Sequence, residues 1–198
     1  GGRAAVLGRS GAGKSTLADL VVGLRAPDAG VVLLEDIDLR ELSLDAVRDA
    51  VTVVRGVEVF EASVADNVAL GRPEVTSERV REALVVMGLT DAVAALPDGV
   101  NTVLSRSGQP LSDTQARRLM FARAIAASPR LLVVDGALDA LDGDVAREIL
   151  RVLTAPSAPW TLLVLTHRAS IAAHCNRVWR LEDGALAHLD DAPARTEP

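Results

Sequence analysis

The 198 residues suit one domain or two small lobes, and 27 acidic against 21 basic residues give a net charge of −6. That balance argues against duplex nucleic acid or an anionic membrane surface as the main partner, because either calls for a basic face. Apolar residues make up 49% and aromatics 2%, with no Tyr, so the core must come from Val, Leu, Ala and Ile. The lone Cys175 leaves no intrachain disulfide or thiolate zinc cluster and fits a reducing compartment.

Gly1 and Gly2 lead into Arg3-Ala4-Ala5-Val6-Leu7, a buried-strand pattern, and a glycine-rich loop follows at once. A start so close to a functional motif is expected of an excerpt from a longer polypeptide. Residues 15–24 read as a helix stopped near Pro27, 31–34 as a strand, 44–50 as a helix and 51–54 as a strand. From 64 to 96 the pattern turns helical. Thr76 or Ser77 is the expected N-cap before Val80, Ala83, Leu84 and Met87, which share one helix face, and Gly88 is the stop. Pro97-Asp98-Gly99 is a turn, and Ser112 precedes a helix to about residue 127.

Residues 130–135 read as a strand with four consecutive apolar positions, the pattern of a parallel sheet covered on both faces. A helix over 145–153 and a buried strand over 161–166 follow. Segments 177–181 and 185–189 flank the hairpin turn Glu182-Asp183-Gly184, and 192–198 read as a disordered tail. No run approaches the ~20 apolar residues of a membrane span, and no signal-peptide pattern is visible, so membrane attachment is left to another segment or chain. Strands and helices alternate at both ends around a helical stretch. That order implies an α/β sandwich with a mostly parallel core sheet. Residues 1–60 and 128–191 would form the core lobe, and about 61–127 an inserted helical subdomain.

The loop Gly8-Arg9-Ser10-Gly11-Ala12-Gly13-Lys14-Ser15-Thr16 meets the pattern G-x-x-x-x-G-K-[ST] between a strand and a helix, the context this motif requires. Glycines let the backbone turn sharply and approach phosphates, and the helix start offers free N–H groups to an anion. Lys14 adds a positive charge for the outer phosphates, and the Ser15 hydroxyl is a ligand for Mg²⁺. A glycine-rich turn with a surface lysine is the competing reading, and the strand–loop–helix context disfavours it. Leu131-Leu132-Val133-Val134-Asp135 ends a core strand in a carboxylate, where P-loop proteins help to hold Mg²⁺. Merely capping the next turn is the alternative for Asp135.

Four further blocks carry a resemblance to a known family. They are Leu111-Ser112-Asp113-Thr114-Gln115, with Phe121-Ala122-Arg123-Ala124 after it; Asp139-Ala140-Leu141-Asp142; Thr166-His167-Arg168; and the segment from Val59-Phe60 to Asn67-Val68. With the P-loop and Asp135, they make residues 2–189 resemble the nucleotide-binding domain of an ABC transporter of exporter type. The resemblance implies a P-loop NTPase fold, with the helical subdomain inserted between Q-loop and signature. It implies that two such domains sandwich two ATP molecules head to tail, each between the P-loop of one and the signature of the other. Their closure drives attached transmembrane helices, on the cytoplasmic face of the membrane. It also implies an adenine-stacking aromatic upstream of the P-loop.

The chain departs from the family pattern in four places. Gly136 stands where the family has the glutamate that polarises the attacking water; positioned bases typically give about 10²–10⁴-fold, so hydrolysis at this P-loop should be slow. Arg55 stands at the Q-loop glutamine, and arginine has only donors and cannot ligate a metal. It would contact the γ-phosphate, form a salt bridge at the transmembrane interface, or lie exposed. The signature has lost both glycines, and Asp113 brings negative charge towards the partner's ATP while Ser112 keeps a hydroxyl. Asp139 replaces the D-loop serine. His167, which the family uses on the γ-phosphate, is retained; His174 and His188 have no such context, and Cys175 reads as packing.

The reading is therefore a degenerate, slowly hydrolysing ATP- and Mg²⁺-binding domain, paired with a second nucleotide-binding domain in a heterodimer rather than a homodimer. The alternatives are an active ATPase in which another group, His167 above all, orients water, and a regulatory module that closes on ATP without turnover.

Overall fold

Alternate residues of the central strands belong to two different cores. In the computed structural model, which describes residues 2–189, strand β5 (Leu131–Asp135) sends Leu132 and Val134 to one face and Val133 to the other. Strand β6 (Thr161–Thr166) divides in the same way, with Leu162 and Val164 against Leu165. The period-2 geometry of a strand makes this division, and the unbroken apolar run shows that both sides are covered. All of these residues except Leu131, Thr161 and Leu163 are buried.

The six-stranded sheet runs β4–β5–β6–β1–β7–β8, where β1 is Arg3–Leu7, β4 Val51–Val54, β7 Arg177–Glu182 and β8 Ala185–Leu189. The first five strands are parallel, and β8 returns antiparallel on β7 through the expected hairpin. One face is covered by α1 (Lys14–Val21) and α2 (Leu44–Ala50), through Ala18 and Val47. The other is covered by α6 (Asp113–Ala126), α7 (Gly143–Leu153) and α8 (Ala169–Ala172), through Phe121, Leu150 and Ile171. Helices α3 (Val64–Ala69), α4 (Ser77–Val86) and α5 (Thr90–Ala94) complete the helical side, with α6 packed on both α3 and α4. Met87, Leu89 and Leu104 are almost fully buried there, in the same continuous core.

A buried polar node ties α3 and α6 to the loop that follows β4. Asn67 has no exposed surface; its Oδ1 accepts from Phe60 N at 2.9 Å, and its Nδ2 lies within hydrogen-bond reach of the carbonyls of Phe60, Ala62 and Ser63. Arg123 of α6 donates to Asn67 O at 2.7 Å and to Glu58 O at 2.9 Å, and its guanidinium lies 5.2 Å from the centre of the Phe60 ring.

Several boundaries differ from the sequence reading. Helix α1 ends at Val21, not at 24, because Gly23 takes φ 73°. The amide of Leu24 then bonds back to Asp19 O at 2.9 Å and that of Gly23 to Leu20 O at 3.2 Å, the closed turn that glycine makes inexpensive. The strand expected over 31–34 shrinks to β2 (Leu33–Leu34), paired with an unforeseen β3 (Ile37–Asp38) in a ribbon apart from the main sheet. The turn between them holds Glu35 and Asp36 at φ 51° and 66°, a conformation usually signalled by Asn or Gly. Thr76, not Ser77, caps α4, accepting from Arg79 N at 3.3 Å. Helix α8 was not expected. The tail proposed for 192–198 lies outside the described residues. Among the described residues, no helix is long and apolar enough to cross a membrane.

Candidate functional site

Parallel strands set their carboxyl ends side by side, and open α/β sheets take ligands there. In sheet order, Arg55 follows β4, Asp135 ends β5, His167 follows β6 and Gly8 follows β1. Their registers bring these ends together: Val54 lies opposite Val134, Asp135 opposite Leu165, and Leu7 opposite Thr166. Residues far apart in sequence thus come to one edge.

The phosphate loop leaves β1 at Gly8, whose amide donates to Thr166 O at 3.1 Å. A Cβ at Gly8 would lie 2.9 Å from Leu181 O, so the loop passes too close to β7 for any side chain there. Gly13, at φ 99°, starts α1 without a side-chain cap, leaving the first-turn N–H groups and the helix dipole for an anion. Lys14 Nζ donates to Gly8 O at 2.7 Å and Arg9 O at 2.9 Å, which holds its charge against the loop. Ser10, Gly11, Lys14, Ser15 and Thr16 share one pocket with Asp135, Gly136, Asp139 and His167. Arg9 and Ala12 line an adjoining hollow with Arg180, Leu181, Glu182 and Asp183 of the expected hairpin, whose place beside the loop the sequence did not indicate.

Asp135 is nearly buried, with 7% of its side chain exposed, and its Oδ2 lies 3.1 Å from Arg55 Nε. The same guanidinium pairs with Asp19 Oδ1 and reaches Ser15 O at 3.5 Å. Arg55 is therefore turned inwards onto its own chain's carboxylates rather than lying unpaired on a loop. Asp19 was not singled out in the sequence; it follows Ser15 by four residues, so both sit on one face of α1. A hydroxyl and a carboxylate are the hard oxygen donors that Mg²⁺ accepts alongside phosphate and water. Ser15 and Asp135, on one pocket, fit that ion, although one oxygen of Asp135 is already paired with Arg55.

His167 and Asp139 form a second pair, with Nδ1 at 2.8 Å from Oδ2. The His167 amide also donates to Oδ2 at 3.2 Å, and the Thr166 hydroxyl donates to Oδ1. The D-loop is thus tied to the end of β6 within one chain. Arg168, also missed, reinforces the tie by donating to Leu141 O at 2.9 Å. Gly136 lies between the two pairs at φ 68°, with open space where a Cβ would be. It lacks a carboxylate, and its backbone also has a shape that side-chain-bearing residues adopt at a cost.

The signature lies elsewhere. Leu111 is buried, whereas Ser112, Asp113 and Thr114 are exposed at the start of α6 and do not line the phosphate-loop pocket. Ser112 caps the helix, accepting from Gln115 N at 3.3 Å, while Gln115 Oε1 accepts from Ser112 N at 2.8 Å. That cap leaves the hydroxyl proton of Ser112 available to a ligand. Asp142, at the start of α7, is exposed and also lies outside the pocket. Burial pushes the Cys175 thiol up to about 11, in keeping with a packing role.

Comparison with known proteins gives a consistent picture. The ABC transporter family model matches residues 1–139. The ATP-dependent lipid A-core flippase of Thiobacillus denitrificans is 35% identical over 192 residues, covering 94% of this chain and 33% of the flippase. The mycobactin import ATP-binding/permease protein IrtB of Mycolicibacterium thermoresistibile is 35% identical over 202 residues, covering 98% of this chain and 35% of that protein. Among solved structures, a bacterial Atm1-family ABC exporter with ATP bound superposes with a TM-score of 0.86 at 31% identity, over 94% of this chain and 33% of the exporter. The chain spans about a third of the length of these proteins. With a P-loop, a strand-end aspartate and a histidine on one pocket of a mostly parallel sheet, the chain belongs to the ABC transporter family, as a nucleotide-binding domain of exporter type.

Proposed function

We propose that the chain binds ATP with Mg²⁺ and closes on a second nucleotide-binding domain to drive attached transmembrane helices, as the slowly hydrolysing member of an asymmetric pair. One observation carries this reading. Lys14, Ser15, Asp135 and His167 converge on the pocket, but Asp135 is ion-paired with Arg55, Asp139 is bonded to His167, and Gly136 supplies no carboxylate. The helix start and Lys14 bind the phosphates. Ser15 and the free oxygen of Asp135 would hold the metal, which when bound draws charge from the transferring phosphoryl group. His167 contacts the outer phosphate, while nothing at 136 activates water.

Residues 1–60 and 128–191 act as the nucleotide lobe, and 61–127 present the signature to the partner and meet the transmembrane helices. The site works at the cytoplasmic face of the membrane. A heterodimer is favoured, because a homodimer would combine the missing glutamate and the altered signature in both composite sites. Lys14→Ala should weaken ATP affinity by at least about tenfold, a single lost charge contact; unchanged affinity overturns the site assignment. Turnover should depend on a glutamate-bearing partner domain, and transport by a homodimer would refute the asymmetric pair.

The Asp139–His167 contact favours a second reading, in which the chain is itself an active ATPase. A carboxylate on Nδ1 fixes the imidazole tautomer and presents Nε2 as the group that orients water. Asp139→Ala would then lower steady-state hydrolysis by about tenfold or more; unaltered hydrolysis removes this reading.

A further inference from the structure

Arg55 lies where a metal-dependent site would keep its strand-end carboxylate open. We propose that the Arg55 guanidinium is a built-in cation at Asp135, making nucleotide binding at this P-loop nearly independent of Mg²⁺. The inference rests on the nucleotide-binding reading above and goes beyond it.

The reasoning is electrostatic. A nearly buried Asp135 carboxylate on the phosphate-loop pocket repels a triphosphate unless a positive charge is paired with it. A bound divalent ion ordinarily serves that purpose. Here Arg55 Nε lies 3.1 Å from Asp135 Oδ2 and neutralises the carboxylate before any ligand arrives. The guanidinium is not free to swing away, because its other end pairs with Asp19 and reaches Ser15 O at 3.5 Å on α1. The arrangement joins the ends of β4 and β5 to the helix that carries the phosphate loop. Lys14, whose charge is held against the loop, remains for the phosphates themselves.

The test is equilibrium binding of a fluorescent ATP analogue to the full chain, in excess Mg²⁺ and in EDTA. Wild type should differ between the two conditions by less than about threefold, whereas Arg55→Gln should lose about tenfold or more in EDTA and recover in Mg²⁺. Equal Mg²⁺ dependence in the two proteins overturns the proposal. An equal loss in both conditions for Arg55→Gln also overturns it, because the arginine would then be touching phosphate rather than standing in for the metal. Lys14→Ala serves as the separate control: analogue binding unchanged by it would sink the nucleotide reading itself, whatever Arg55 does.

Discussion

Arg123 and Arg55 flank the same stretch of chain, between the end of β4 and the start of α3, and they do opposite work. Arg123 is directed at backbone carbonyls and at Asn67, with the Phe60 ring beneath it. Burial, partly offset by the charge of Glu58, pulls its pKa below the ordinary guanidinium range. Arg55 is 39% exposed and is directed at carboxylates, one of them in the candidate metal site. A guanidinium that meets neutral carbonyls holds elements together, because its removal leaves buried acceptors without donors. One that meets carboxylates at a pocket edge sets the charge a ligand encounters.

The sharpest way to break this contrast is at the buried node. Asn67→Leu leaves the Phe60, Ala62 and Ser63 carbonyls and the Phe60 amide short of partners, and should cost about 3 kcal/mol in denaturant unfolding. A loss under ~1 kcal/mol would show that the node is not structural. Next comes Gly136. Gly136→Ala should destabilise the fold by about 1–2 kcal/mol through its left-handed backbone alone. The family-like Gly136→Glu should carry the same penalty while raising turnover of the assembled transporter. The smallest effect is expected at Arg55. Arg55→Gln should change stability by about 1 kcal/mol, since the arginine is partly exposed and glutamine still offers the Asp135 carboxylate an N–H donor, even as it changes the metal dependence of binding. A stability loss rivalling that of Asn67→Leu would erase the distinction between the two arginines.

Much of this was legible in the sequence because local chemistry announces it. The run Leu131 to Val134 gives strand and burial at once and sets a carboxylate at the strand end, and the glycines and Lys14 give the loop. Both pairs that modify the site were illegible for one physical reason. Arg55 meets Asp135, and Asp139 meets His167, across separations that strand register closes. No periodicity encodes which carboxylate a long arginine side chain will find. The β2–β3 ribbon was missed for a different reason, since Glu35 and Asp36 take left-handed shapes without the residues that advertise them.

The left-handed backbone at Gly136 also bears on reversibility. Had the position merely lost a carboxylate, one substitution would bring it back without cost. With the chain settled at φ 68°, a restored side chain meets a conformation it resists, so regaining the acid also costs stability unless the end of β5 is reshaped. The glycine thus works as a ratchet, making the altered site harder to leave than it was to enter.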